Sequence, residues 1–440
     1  MDAARTIYRA GIAVRDITPP VGIKLCGFAA RTEPSEGVYH PLRATAVAID
    51  DGATPLVLIG ADILGFYDRC APVRSAVADA LGLPEGNIIL AGSHTHCGPH
   101  IRQFDLERLG PLDQQYLQRL TDRIVSAARE AWHKRRDAHL ACGVGTCGFA
   151  VSRRRRRPDG TVEWGPDPTG PHDHDVPVLT LCDAETGTPF GLVYSYACHP
   201  TSRAGLLIGG DYVSFAHDRI EENLPGVTAC FVQGCGADQK PVPVDPADTR
   251  FTPREIPEVE AIGNELGEAA TVVAASGQAT PLTGPIRLRR RIIQIESIAP
   301  DIDDAKTVLN GPDKRLHPWA ERIIHAVENN IELDRYTPFE IQTATFGRSL
   351  AIVTLAGEIT VEHGLRLKRD LHPHFDTVLV IGYANHIVGY VPVQRQIPEG
   401  GYCVEWANKF HGRTGRWVDE TEKHIHSTVQ QMVATDVADR

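Results

Sequence analysis

Two histidines one residue apart, His94 and His96, follow the apolar run Ile88-Ile89-Leu90-Ala91 in the segment Gly92-Ser93-His94-Thr95-His96-Cys97-Gly98-Pro99-His100. A third, His199, follows a second run, Leu192-Val193-Tyr194-Ser195-Tyr196-Ala197, in the segment Cys198-His199-Pro200-Thr201-Ser202. Neutral imidazole is a common metal ligand, and residues two apart in an extended chain point to one side. Glu358, beyond a third apolar run at 349–356, adds an anionic oxygen. Two or three histidines, one carboxylate and an open position for water make the pattern of a catalytic zinc site. Taken singly, His96 or His199 is equally well explained as a core histidine satisfied by backbone groups. The repetition at three strand ends is what points to metal.

The elements that must position these residues follow one theme. Runs at 55–61, 87–91, 191–197, 228–232, 349–356 and 377–381 read as buried strands. Each stops at a small residue followed by polar or ligand-capable ones, such as Gly234-Cys235-Gly236-Ala237-Asp238 and Gly382-Tyr383-Ala384-Asn385. In open α/β sheets the carboxyl ends of the strands are where ligands bind. Helical spacing fills the gaps at 67–81, 114–135, 211–224, 255–275 and 360–371, so the expected class is α/β, a large mixed sheet flanked by helices. The runs 286–295 and 339–346 alternate and predict antiparallel additions, and the Pro-rich span 240–257 predicts a surface loop. A single domain over residues 1–440 is the expectation.

Composition narrows the partners. The 440 residues carry a formal net charge of −11, which argues against nucleic acid in general. The run Arg153–Arg157 is followed by Pro158-Asp159-Gly160 and reads as a solvated hairpin, with one or two arginines reaching a pocket. No apolar stretch is long enough to span a bilayer, and the N-terminal residues do not form a signal region. Ten scattered cysteines read as reduced, buried thiols. These features together predict a cytoplasmic enzyme acting on a small molecule, with neither membrane nor nucleic acid as partner and homo-oligomerisation left open.

Taken in order, several segments resemble the catalytic domain of the neutral/alkaline ceramidases and their shorter bacterial relatives. They are Ala10-Gly11-Ile12-Ala13-Val14-Arg15-Asp16-Ile17-Thr18-Pro19-Pro20, Ser93-His94-Thr95-His96-Cys97-Gly98-Pro99, and Cys198-His199-Pro200-Thr201-Ser202 with Gly210-Asp211. Further on come Gly234–Pro241, Gly357-Glu358-Ile359-Thr360 and Ala384-Asn385-His386-Ile387-Val388-Gly389-Tyr390-Val391-Pro392. The resemblance implies a zinc amidohydrolase of ceramidase-like fold. The zinc ligands it implies are His94, His199, Glu358 and a tyrosine, best matched by Tyr390. It places His96 beside the metal as a substrate or proton-handling group, and Arg153 or Arg154 near the substrate. Asp238 falls on the catalytic side and Tyr402, with Lys240, on the substrate side.

Two departures from the family matter. The first tyrosine of the motif is replaced by Ile387, and the serine proposed as a nucleophile in ceramidases is replaced by Lys240. An acyl-enzyme on that serine is impossible here, which leaves metal-activated water as the chemistry. Cys97 reads as a packing residue rather than a thiol nucleophile. The C-terminal β-domain of full-length ceramidases is expected to be missing. With Lys240 and Arg153–Arg154 available for an anion, the expectation is amide hydrolysis of a small, soluble, anionic N-acyl substrate. The alternatives are an ester or lactone hydrolase, a sugar-acid lyase, or a non-catalytic metal or ligand binder.

Overall fold

The computed structural model describes residues 6–103, 106–245, 247 and 249–438. Its largest element is a nine-stranded mixed sheet. Across it run Thr228–Gln233, Pro189–Tyr196, Asp175–Asp183, Arg136–Thr146, Tyr8–Asp16, Arg43–Asp50, Pro55–Ala61 and Ile88–Gly92, with Thr280–Pro281 beside Arg136–Thr146. Only the outermost pairs are parallel: Pro189–Tyr196 with Thr228–Gln233, and Pro55–Ala61 with Ile88–Gly92. A parallel pair needs a crossover, and the helices Tyr212–Asn223 and Cys70–Leu81 supply them.

The sheet curls until its two ends meet. Arg43 and the Thr45 hydroxyl both donate to the carbonyl of Ala229, at 2.8 and 3.3 Å. A Cβ on Gly60 would stand 2.4 Å from the carbonyl oxygen of Phe231, so glycine is what lets these backbones approach. The consequence is functional. Strands from the two opposite edge pairs of the strand order, Ile88–Gly92 and Pro189–Tyr196, deliver their carboxyl ends to one place.

A second sheet, Ile286–Glu296, Tyr336–Phe346, Leu350–Leu355 and Thr377–Ile381, packs face to face on the first. Phe346, Ile352 and Leu379 from it share a buried core with Leu58, Ile89, Val193 and Val232 from the large sheet. Helices Cys70–Leu81 and Gln114–His133 cover part of the large sheet's outer face, and Tyr212–Asn223 with Ile256–Ala275 cover the rest. Val361–Leu371 and Thr421–Ala438 cover the outer face of the second sheet. The layering is therefore helix, sheet, sheet, helix.

The α/β expectation holds, with one addition. All six apolar runs are strands, and the expected helices lie within a few residues of their predicted bounds. The antiparallel runs at 286–295 and 339–346, read as additions, form half of a full second layer. They pair along eleven residues, from Ile286 with Phe346 to Glu296 with Tyr336. The hairpin is Ala150–Arg156 with Val162–Asp167, and its turn is closed by a bond from Gly160 N–H to the Arg157 carbonyl. The Pro-rich span begins with the short strand Gln239–Pro241 and continues without regular structure to the helix at Ile256; residues 246 and 248 lie outside the described set. The ten cysteines form no disulfide. No helix among the described residues is long and apolar enough to cross a membrane.

Candidate metal centre and its surroundings

His94 leaves its strand in a left-handed conformation, φ 67°, which costs a non-glycine residue energy and so must be held by its surroundings. Its backbone N–H donates to Ile63 and its ring Nδ1–H to the carbonyl of Leu64, at 3.0 and 2.7 Å. His199 is fixed the same way, its Nδ1–H donating to the Gly236 carbonyl at 2.7 Å. The loop beyond His199 is tied down by Asp211, which accepts from the N–H groups of Ser202 and Arg203 and caps the helix Tyr212–Asn223.

Because a carbonyl oxygen can only accept, both rings carry their proton on Nδ1, and both Nε2 atoms are bare. They face each other at 3.2 Å, and the Nε2 of His96 lies 3.3 Å from that of His94. Burial lowers the basicity of His96 and His199. It pushes His96 well below the ordinary value, with His94 adding to the effect, and takes His199 down to about 3, with Arg153 adding. His96 and His199 are therefore neutral at physiological pH, and the bare Nε2 of His199 is aimed at that of His94.

Glu358 completes the cluster. It opens the two-residue strand Glu358–Ile359, paired in parallel with Tyr390–Val391. Its Oε2 lies 3.3 Å from His94 Nε2 and 3.5 Å from His199 Nε2, yet has no hydrogen-bond donor. A buried carboxylate oxygen facing two unprotonated nitrogens is repulsive without a cation. The arrangement fits a divalent ion, and His94, His96 and His199 form the one histidine group of ligand geometry among the described residues.

The other expected residues divide. Tyr390 is at the cluster, its Oη 3.4 Å from His199 Nε2. It accepts from the buried Arg153 guanidinium at 3.0 Å. Arg153 also lies over the rings of Trp164, Tyr390 and Tyr402, and Tyr402 meets Tyr390 edge to face. The sequence left Arg153 and Arg154 open as the substrate-side arginine. The structure turns only Arg153 to the site, since Arg154 donates to the carbonyls of Gly400 and Gln396 and pairs with Glu399.

Asp238 is buried, but its carboxylate accepts from Val361 N–H, Gln239 and Gln396. It anchors the start of the helix Val361–Leu371 instead of facing the imidazoles. Lys240 is half-buried, and its ammonium donates to the carbonyl and hydroxyl of Thr201 at 2.9 and 2.7 Å. The Cys97 thiol is pushed up to about 12 by burial, as suits a packing residue.

Two site residues escaped the sequence. Tyr383 places its ring 4.3 Å from that of His94 and its Oη 3.2 Å from His199 Nδ1. His411 puts its Nε2 3.6 Å from Glu358 Oε1. Tyr383 lies in one of the strand-end segments noted above, whereas His411 has no sequence signal, being brought in by the C-terminal chain.

Comparison with known proteins gives the class first, a hydrolase acting on an amide bond. The chain belongs to the family described as neutral/alkaline non-lysosomal ceramidase, N-terminal, which matches residues 8–281. It is similar to the neutral ceramidase of Pseudomonas aeruginosa, at 24% identity over 463 residues, covering 88% of this chain and 67% of that protein. The crystal structure of neutral ceramidase from P. aeruginosa superposes with a TM-score of 0.73 at 19% identity, over 96% of this chain and 73% of the other. A structure of ceramidase complexed with C2 gives 0.74 at 19%, over 96% and 74%. At such identity the superpositions establish the shared fold.

Proposed function

We propose that this chain is a zinc-dependent hydrolase that cleaves the amide bond of a small, soluble, anionic N-acyl compound. The observation that carries the reading is the convergence of three imidazole Nε2 atoms, those of His94 and His199 bare, on one another, with a donorless carboxylate oxygen of Glu358 beside them. His94, His199 and Glu358 would hold the ion, with Tyr390 beside them and His96 near enough to serve either as a further ligand or as the proton-handling group. A zinc ion, when bound, lowers the pKa of water from about 15.7 to about 7 and polarises a carbonyl.

The remaining work falls to side chains. His96 is neutral and no hydrogen bond to its Nδ1 fixes its tautomer, so its unprotonated nitrogen can take a proton and return it to the leaving amine. Arg153 holds the Tyr390 phenol in place and, with Lys240, supplies positive charge. Neither cation has a carboxylate within ion-pair distance among the described residues. Buried cations need an anionic partner, which supports a substrate carboxylate or phosphate. With Lys240 in the place of the family serine, no acyl group should accumulate on the protein during turnover.

The test pairs metal analysis of the purified protein with kcat/KM for ceramide in detergent and for N-acyl amino acids. One zinc per chain and faster turnover of the anionic compounds are expected. A metal-free active enzyme would remove the mechanism, and a preference for ceramide would remove the substrate class.

A further inference from the structure

Ile387, where the family motif has a tyrosine, is an apolar core residue packed with Cys26, Leu64, Tyr67 and Leu109. Tyr383 joins the same cluster and is fully buried. Its backbone is left-handed, φ 53°, an outlier for a bulky side chain, and two residues on Asn385 is left-handed too. Such strain persists only where neighbours over-determine it, and here they do. Tyr383 N–H donates to the Gly357 carbonyl at 2.8 Å, just before Glu358. Asn385 exchanges bonds with both backbone groups of Leu90, and its amide donates to Glu340 and Gln342. The segment thus knits the strand that delivers His94 to the turn that delivers Glu358.

The strained turn places one ring against two imidazoles. Tyr383 lies tilted on His94 with centroids 4.3 Å apart and edge-on to His199 at 5.8 Å. The His199 Nδ1–H, already donating to Gly236, has the Tyr383 oxygen 3.2 Å away as a second acceptor. A proton flanked by two oxygens stays on Nδ1, and Nε2 stays bare. We propose that Tyr383 is a positioning residue for the metal centre, which wedges the His94 and His199 rings and locks His199 in the tautomer that binds a cation. This rests on the reading that the cluster holds a divalent ion. Outer groups of this kind typically govern metal affinity by about 10–100-fold.

The test is a competition titration of the metal-free full chain with zinc against a chromophoric chelator, for the wild type and Tyr383→Phe. The variant keeps the ring and removes only the hydroxyl. Its zinc Kd should rise at least fivefold, with one zinc still bound at saturation; a smaller rise overturns the proposal. Failure of the wild type to bind zinc would instead overturn the metal reading beneath it. Should the variant not fold, ¹⁵N spectra of the wild-type apoprotein decide. His199 is expected as the Nδ1–H tautomer, and the Nε2–H form would overturn the proposal.

Discussion

The histidine side of the site and its cationic side satisfy their polar atoms in opposite ways. The outer ring nitrogens of His94 and His199 donate to backbone carbonyls, and their inner nitrogens and Glu358 Oε2 are left bare towards one another. On the other side, Arg153 and Lys240 bond to neutral oxygens, those of Tyr390 and Thr201, with no carboxylate among the described residues in ion-pair contact. The first side lacks positive charge and the second lacks negative charge. A metal ion answers the one and an anionic substrate the other, so the two halves should fail differently when altered.

The largest effect is expected on the histidine side. His199→Ala should remove zinc and activity together while the fold survives, because the residue ends a strand whose packing rests on Leu192, Val193 and Tyr194. Full metal occupancy in that variant would sink the ligand assignment and with it the contrast between the two sides.

Next comes the scaffold beneath the histidine side. Glu340 is buried, accepts a two-point bond from Arg74 at 2.7 and 3.0 Å, and also pairs with Arg290 and Asn385. Glu340→Ala would leave Arg74 buried and unpaired and should cost about 3–5 kcal/mol of stability. Burial works to raise the Glu340 carboxyl, but Arg290 and Arg74 outweigh it and hold it below the ordinary 4.5. A depressed carboxyl contributes stability above its unfolded value and loses it as pH falls through the folded one. Denaturant melts should therefore show wild-type stability falling below about pH 4.5, with this part of the fall missing in Glu340→Ala.

On the cationic side the substrate is the better probe. Converting an anionic N-acyl substrate to its neutral amide should lose about 2–4 kcal/mol of binding, the cost of leaving a buried cation unpaired. Inhibition constants for matched acid and amide pairs measure it. Equal affinities would mean that the positive charge serves the protein alone.

The histidine side was legible in the sequence because its residues come directly after apolar strands, and strand ends are readable. The curl that joins opposite ends of the sheet was not, since it depends on one glycine, Gly60, beneath a distant carbonyl. The substrate-side arginine stayed ambiguous because adjacent strand residues face opposite ways and only tertiary partners decide which faces the site. Arg154 is claimed by Glu399 and two carbonyls from a segment more than 200 residues away. Asp238 shows the same limit. A buried carboxylate in a motif reads as chemistry until its partners, here a helix N–H and two amides, are known.

Lys240 gives the smallest and most discriminating effect. Two of its three N–H donors are committed to Thr201, so one remains for a ligand. Lys240→Ala should accordingly raise KM for an anionic substrate about tenfold, the scale of one charged hydrogen bond at a half-buried site, and lower kcat less. Burial, with Arg153 nearby, brings its ammonium down to about 8. The charged form prevails below that value and is lost above it, so wild-type KM for the anionic substrate should climb as pH passes through about 8. In Lys240→Ala that climb should vanish, and in the wild type it should be absent for the neutral amide. A climb of equal size in both proteins would assign the titration elsewhere and leave Lys240 as a brace on the Thr201 loop.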